Sequence, residues 1–454
     1  MTITTATDAA AAATARVLPG AVNGPEDEFL DWDQVDWGQA EENVRRLRQR
    51  IFAASRAGDL KKVRNLQKLM LRSRSNALVS VRRVAQQNAG RKTPGIDGRT
   101  ALSPSLKTDL VEQVQRQRTT WRPRPVRRVF IPKANGKKRG LGIPVMMDRA
   151  LQAVAVNALE PEWEARFEAR TYGFRPGRSC QDAIASIFWT MPNPRTKRCW
   201  VLDADLTAAF DRADHDSILD QLGTFPARDM VAAWLKAGVV DQGQLTPTDE
   251  GTPQGGVISP LIFNVALHGM ATAAGTRWRW DPRRGCDAAV PGTPVVVVYA
   301  DDLVALCDSR EETFAVKTRL VSWLAERGLT FNEDKTRVVH LSEGFNFLGF
   351  TVRRYGDKKL LTTPSKDAVK RIKARLAAEV RALRGANAAA VLRAINPIVR
   401  GWAAYYRGAA SKATFTALDD YLWRLLYKWA CYRHPGKPRR WITRVPQMHV
   451  GSRW

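Results

Sequence analysis

Asp301 and Asp302 stand where the apolar run Val295-Val296-Val297-Val298-Tyr299-Ala300 ends and a second, Leu303-Val304, begins. Asp205 closes another apolar stretch, Cys199-Trp200-Val201-Leu202-Asp203-Ala204-Asp205-Leu206. Adjacent carboxylates at the mouth of a buried hairpin are costly unless a metal ion, a cation or solvent compensates them. Alone, the pair also fits an exposed turn that uses Asp only for its turn chemistry. A third carboxylate at another strand end suits two hard divalent ions, Mg²⁺ by ligand type, in transfer of a nucleotide from a triphosphate to a 3′ hydroxyl. On that reading Asp205 and Asp301 bridge both ions, the Leu206 carbonyl is a ligand on the triphosphate side, and Asp302 supports the primer-side ion. Cys180, Cys199, Cys286, Cys307 and Cys431 are widely spaced, offer no close metal pair, and read as reduced thiols.

Other residues fit the same chemistry. Phe210, five positions beyond Asp205, would set a ring beside the sugar of an incoming nucleotide, where bulk excludes a 2′-OH; an ordinary core phenylalanine is the competing reading. Gln254, Gly255 and Gly256 leave room for nucleotide and template backbones to approach. Arg128 and Lys137 could grip a triphosphate, and Lys335 could reach leaving phosphates or the primer end. Each of these bases alone fits a solvated loop equally well.

These residues need elements to hold them. The Val295–Val304 pattern predicts a buried strand, a tight turn and a returning strand. Val126–Lys133, an Asn135-Gly136 turn and a return toward Ile143 predict a basic hairpin. A long helix is expected over Asp148–Phe167 with Arg149 and Gln152 on its accessible side, helices over 181–189, 216–236, 261–270 and 311–327, and a strand at Arg337–Leu341. Before them, Val44–Val84 predicts two basic amphipathic helices broken near Gly58, following an acidic island at 26–42. Tyr172-Gly173-Phe174-Arg175-Pro176 reads as a kinked loop with exposed rings and arginines. Beyond Leu361 the chain carries 19 Lys/Arg against four Asp/Glu, on amphipathic helices near 365–383 and 387–400. The formal charge of +27 points to a polyanionic partner, most simply nucleic acid. Candidate RNA contacts are Arg72, Arg82, Arg91, Lys92, Arg175, Lys370, Arg371, Arg400, Arg407, Arg424 and Lys428. Neither a signal peptide nor a membrane span is evident, so a cytoplasmic protein is expected.

Taken in order, the motifs resemble the reverse transcriptases encoded by bacterial group II introns, which also act as maturases. The carriers are Arg139-Gly140-Leu141-Gly142-Ile143-Pro144, Tyr172-Gly173-Phe174-Arg175-Pro176, Asp205-Leu206-Thr207-Ala208-Ala209-Phe210-Asp211, and Pro253-Gln254-Gly255-Gly256-Val257-Ile258-Ser259-Pro260. Tyr299-Ala300-Asp301-Asp302, Asn332-Glu333-Asp334-Lys335-Thr336 and Phe347-Leu348-Gly349-Phe350 complete them. Thr207 stands where the family commonly has Lys, and Gly140 where it commonly has Pro.

The resemblance implies an α+β right-hand polymerase of fingers, palm and thumb. A helical extension precedes it and a helical maturase (X) domain follows. The boundaries expected are a largely disordered, acidic segment at 1–42; the helical extension and start of the fingers at 43–120; fingers at 121–200; palm at 201–360; the start of the thumb at 361–385; and the rest of the thumb with the maturase domain at 386–454. It implies nucleotide-site roles for Asp205, Asp301, Asp302, Phe210, Gln254 and Lys335. RNA binding would use the N-terminal helices, the thumb and Gly401-Trp402-Ala403-Ala404-Tyr405-Tyr406. The implied partners are the intron RNA, an RNA template with a DNA primer, dNTPs and target DNA, with nucleoid association during retrotransposition. The end at Trp454, without Cys pairs, resembles forms lacking the endonuclease domain and is short for a complete maturase end. A splicing cofactor without polymerase activity and a domesticated enzyme of antiphage defence are the alternatives.

Overall fold

Val295–Val298 form a continuous apolar run because the sheet they enter is covered on both faces. The computed structural model describes residues 31–132, 138–191, 198–252, 254–282, 286–356 and 359–447. Lys137, the Asn135-Gly136 turn and most of the segment expected to be disordered lie outside the described residues. Within that segment, Trp32 is buried and helix α1 begins at Trp37, so its end is folded.

The N-terminal layer is helical: α1 (Trp37–Arg56), α2 (Leu60–Arg72), α3 (Arg74–Arg82) and α4 (Pro104–Gln117). The two expected helices are three, because Ser73 ends α2 and caps Asn76 N–H at the start of α3. Strands β1 (Val126–Pro132) and β2 (Lys138–Ile143) follow, then α5 (Met146–Arg166) and α6 (Cys180–Thr190). Helices α1, α2 and α3 all pack on α5. That burial corrects the expectation for Arg149 and Gln152, which are interior residues. Arg149 donates to the carbonyls of Pro144, Gly90 and Thr93, and the Gln152 side-chain oxygen accepts from Val257 N–H. Both side chains tie loops to α5.

The central part runs β3 (Trp200–Asp205), α7 (Ala209–Arg212), α8 (His215–Leu222), α9 (Arg228–Leu235), β4 (Val239–Asp241), β5 (Gln244–Thr246), α10 (Ser259–Ala266), α11 (Met270–Ala273), β6 (Trp278–Asp281) and β7 (Cys286–Ala289). It continues through β8 (Val295–Tyr299), β9 (Asp302–Cys307), α12 (Arg310–Ala325), β10 (Arg337–His340), β11 (Phe345–Phe347), β12 (Phe350–Tyr355) and β13 (Lys359–Pro364). The C-terminal helices are α13 (Lys366–Ala382), α14 (Ala388–Tyr406), α15 (Lys412–Arg433) and α16 (Arg439–Gln447).

The sheet ordered β10-β3-β9-β8 is antiparallel throughout. Alternate residues face opposite cores. Leu202, Ala204, Val296, Val298, Leu303 and Ala305 join the large core that runs through α8, α10 and α12 to the N-terminal helices. Val201, Val295, Val297, Val304 and Leu306 join a second core with α6 and with Phe345, Phe347 and Phe350. The C-terminal helices hold a third core around Leu376, Ile395, Leu418 and Trp429. A second sheet, ordered β2-β1-β4-β5, joins the basic hairpin to a hairpin from much later in the chain, through the parallel pairs Val126↔Val239 and Arg127↔Val240. The expected fingers boundary at 200 therefore misses strands that complete their sheet, and the palm boundary at 360 cuts β13.

The Thr171–Phe174 loop buttresses the β8 edge. Thr171 bridges Val298 in parallel, and Tyr172 N–H donates to the Val298 carbonyl. The Gly173 carbonyl accepts from the Asn264 amide. A Cβ on Gly173 would lie 2.4 Å from the Ala300 nitrogen, so only glycine lets the loop touch the turn between β8 and β9. Gly173→Ala should destabilise the fold by roughly 1–3 kcal/mol through overpacking against backbone, measured by denaturant unfolding; an unchanged midpoint would show that the loop is loosely held.

Candidate active site

The three aspartates meet at one end of the four-stranded sheet. Tyr299 pairs with Asp302 across a two-residue turn made by Ala300, at φ 55°, and Asp301. Asp205, the last residue of β3, pairs directly with Asp302 on β9. Asp203 and Asp205, two apart on one strand, share a face with Asp302. Like charges placed opposite one another across a sheet are destabilising. Burial, followed by Asp301 and Asp205, raises Asp302 to about 7, while Lys335 pulls the other way. Burial likewise raises Asp203 to about 6 against the effect of Arg337. Asp203 was missed in the sequence, although its spacing from Asp205 was the available signal.

Backbone bonds fix the junction. Leu206 N–H donates to the Asp301 carbonyl at 3.1 Å, Asn332 N–H to the Asp205 carbonyl at 2.8 Å, and Thr207 N–H to the Thr330 carbonyl at 2.9 Å. The Lys335 ammonium then reaches the Asp205 carboxylate at 2.5 Å. This bond raises the lysine above its ordinary value, outweighing burial, which lowers it.

Asp205 and Asp301 line a cleft of about 320 Å³ with Lys138, Arg139, Gly140, Leu206, Phe210, Gln254, Asn332 and Lys335. Asp302 lies beside the turn rather than on the cleft wall. Phe210 is both lining and core: its ring stacks on Phe263 at 4.2 Å and meets Phe174 edge-on at 5.9 Å. Gln254 closes the other side. Its carbonyl accepts from Gly142 N–H, its side-chain oxygen from Arg139, and its amide donates to Asp211. Gly255, at φ 118°, lies so close to the Gly142 carbonyl that a Cβ would sit 2.6 Å away. The Gln-Gly loop therefore fastens the basic hairpin to Asp211 on α7. Arg128 lies over Gly140, where an added Cβ would sit 2.6 Å from its guanidinium. Arg128 lines an adjoining cavity with Phe210, Asp211 and Gln254. The sequence had no way to show that Gly140 is the seat of Arg128.

Among the described residues, no group of three or more His, Cys, Asp or Glu side chains is arranged to enclose a metal ion. The donor chemistry nevertheless fits one. The crowded carboxylates, Asp302 with raised proton affinity and Asp205 already holding an ammonium, are hard oxygen donors short of positive charge.

The candidate RNA contacts divide by exposure. Lys92, Lys370, Arg371, Arg400, Arg407, Arg424 and Lys428 are exposed, as is Arg72 beside Lys68 and Arg118 at the rim of an apolar cavity. Arg91 is half-buried in a short helical turn. Arg82 donates to Glu41 and lies 4.4 Å over Trp37. Arg175 is corrected: at 5% exposure, its guanidinium is taken up by Glu164 and by the carbonyls of Glu168 and Thr171, so it braces the loop from inside. Trp402, Tyr405 and Tyr406 are also turned toward the protein, packing on Phe350 and Phe415.

Comparison with known proteins agrees with this anatomy. Residues 131–352 match the family described as reverse transcriptase (RNA-dependent DNA polymerase). Residues 32–114 match the N-terminal domain of reverse transcriptase, and residues 369–445 the group II intron maturase-specific domain. Protein YkfC of Escherichia coli (strain K12) is 34% identical over 335 residues, 66% of this chain and 87% of that protein. The group II intron-encoded protein LtrA of Lactococcus lactis subsp. cremoris is 27% identical over 323 residues, 59% of this chain; the chain spans about half of LtrA's length, 53%. A solved telomerase from Candida albicans aligns at a TM-score of 0.39 and 13% identity, covering 70% of this chain and 59% of that one. No helix among the described residues is long and apolar enough to cross a membrane.

A raised carboxyl has a definite effect on stability. Asp302 binds its proton more tightly in the folded chain, so stabilisation present below its ordinary 3.8 is lost as pH rises toward about 7. In metal-free buffer, Asp302→Asn should therefore gain melting temperature over the wild type as pH rises from about 4 to about 7, with the difference levelling off above. A pH-independent difference in thermal denaturation would contradict the assigned crowding.

Proposed function

Because this chain belongs to the group II intron-encoded family of reverse transcriptases, we propose that its cleft carries out RNA-directed DNA synthesis and that its basic surfaces hold the intron RNA for splicing and retrotransposition. The observation that carries the polymerase reading is the register Asp205↔Asp302 with Asp301 on the adjoining turn, facing a cleft rimmed by Lys138, Arg139 and Lys335.

Asp205, Asp301 and the Leu206 carbonyl would hold two Mg²⁺ ions, with Asp302 in support; such ions would supply a lowered pKa at a primer hydroxyl and positive charge for a leaving pyrophosphate. The chain's own groups have separate tasks. Lys335 is exposed on its outer side, so its ammonium can leave Asp205 for a phosphate. Arg139 and Lys138 bring positive charge from the basic hairpin to the triphosphate side, with Arg128 behind them. Gln254 couples that hairpin to the cleft wall. Phe210 is braced by Phe263, so it cannot swing away from a ribose 2′-OH, and it selects deoxynucleotides sterically. Exposed Arg400, Arg407, Arg424 and Lys428 carry charge for structured RNA on the outer side of the maturase-specific helices.

Two experiments test this reading. With Mg²⁺ and a DNA primer on an RNA template, purified protein should extend the primer with dNTPs. Asp301→Ala with Asp302→Ala should cut extension at least about a thousandfold while RNA affinity stays within about twofold. No extension by the wild type, beside an active control enzyme, would leave only the splicing role. Separately, Phe210→Val should raise use of ribonucleotides relative to deoxynucleotides by about tenfold or more, at a stability cost below the roughly 3–5 kcal/mol of a Phe→Ala change. Unchanged sugar selectivity would make Phe210 a core residue alone.

A further inference from the structure

The segment Gly401–Tyr406 was expected to touch RNA, yet its tyrosines are built into the back of the polymerase. At the end of α14, the Tyr405 hydroxyl donates to the Leu348 carbonyl at 2.8 Å and the Tyr406 hydroxyl to the Gly349 carbonyl at 3.2 Å. Leu348 (φ 50°) and Gly349 (φ 82°) form the two-residue turn between β11 and β12, with Phe347 paired to Phe350. Two consecutive left-handed residues match the primed turn that closes a tight hairpin. A Cβ at 349 would sit 2.8 Å from the Tyr406 hydroxyl, so glycine serves the contact as well as the turn. Phe350 lies against both rings, with centroids 5.3 Å from Tyr405 and 4.8 Å from Tyr406.

From this turn, two routes lead to the aspartates. Phe347, Phe350 and Tyr406 share one core with Val297 and Val304, which flank the Ala300–Asp301 turn on the paired strands β8 and β9. The second route is shorter. Tyr299, the residue before that turn, packs against the same core as Tyr405, and its strand β8 lies on α6, the helix that begins at Cys180. The Tyr405 carbonyl accepts from Gln181 on the same helix, α6. Phenylalanines would fill the same volume; the two hydroxyls add direction, each consuming a carbonyl of the turn.

We propose that Tyr405 and Tyr406, on the maturase-specific helix α14, are positioning residues for DNA synthesis: they hold the Leu348–Gly349 turn and Tyr299, and through them set the place of Asp301. The helices that carry RNA-facing charge thereby adjust the polymerase centre from behind. This proposal rests on the polymerase reading given above.

The test is the full-length double variant Tyr405→Phe, Tyr406→Phe, which keeps the rings and removes both hydroxyls. Its kcat for primer extension should fall about tenfold, as a misplacement well under 1 Å would produce, with KM for dNTP and the Kd for RNA within about twofold of wild type. Hydrogen exchange should quicken at the amides of residues 298–303 and 346–350, with the N-terminal helices unaffected. Weaker RNA binding at unchanged kcat would overturn the proposal and return the tyrosines to RNA contact. A lower melting temperature without change in kcat or in hairpin exchange would overturn it in favour of packing alone. Should the wild type extend no primer, the polymerase reading fails by itself, and unchanged exchange at the two turns would still refute the positioning role. If the double variant does not fold, Tyr405→Phe alone retains the Gly349 bond and is read in the same way.

Discussion

Asp205 and Asp302 face one another across adjacent strands, and that repulsion sets the terms for what surrounds it. The pair would be easily relieved in a floppy hairpin. Here it is held by burial on both sides of the sheet, by the bond from Leu206 to the Asp301 carbonyl, and by the 171–174 loop pressed against the turn. Lys335 offsets part of the charge from an exposed position where it is displaceable. Local destabilisation maintained by a rigid frame is a common mark of functional sites. Two apolar cores around β8 and β9 provide the frame.

Glycine recurs where backbone segments must touch. Gly173 against Ala300, Gly255 against Gly142 and Gly349 against Tyr406 each bring a different part of the chain to within a Cβ of its neighbour. In this way the loop before α6 is fixed to the β8–β9 turn, the Gln-Gly loop to strand β2, and the C-terminal helices to the β11–β12 turn.

Much of this was legible in the residues. The valine run, the paired aspartates, the basic hairpin and the helices at 310–325 and 366–382 follow from local pattern, which the chain obeys wherever one segment decides its own state. What stayed hidden depends on which segments meet. Arg149 and Arg175 look like surface bases, because nothing local announces the carbonyls and carboxylate that enclose them. Trp402, Tyr405 and Tyr406 interleave with bases as RNA-stacking rings do, yet rings at helical spacing are more often core, and in the fold they do turn inward. Strands β4 and β5 are three residues each, too short for period-two alternation to declare itself.

That last pair of strands bears on how the molecule comes to be. Strand β1 completes its sheet only when β4, made much later in synthesis, lies parallel beside it. Between the two, the chain must already have built α5, α6, β3 and the helices that follow. Such a non-local parallel pairing bears its loop-closure entropy before any reward, so it forms late and slowly. The basic hairpin then spends the interval as an open edge, with Phe130 and Ile131 exposed near its tip. Until residues 239–246 arrive, this unpaired edge is open to non-native pairing.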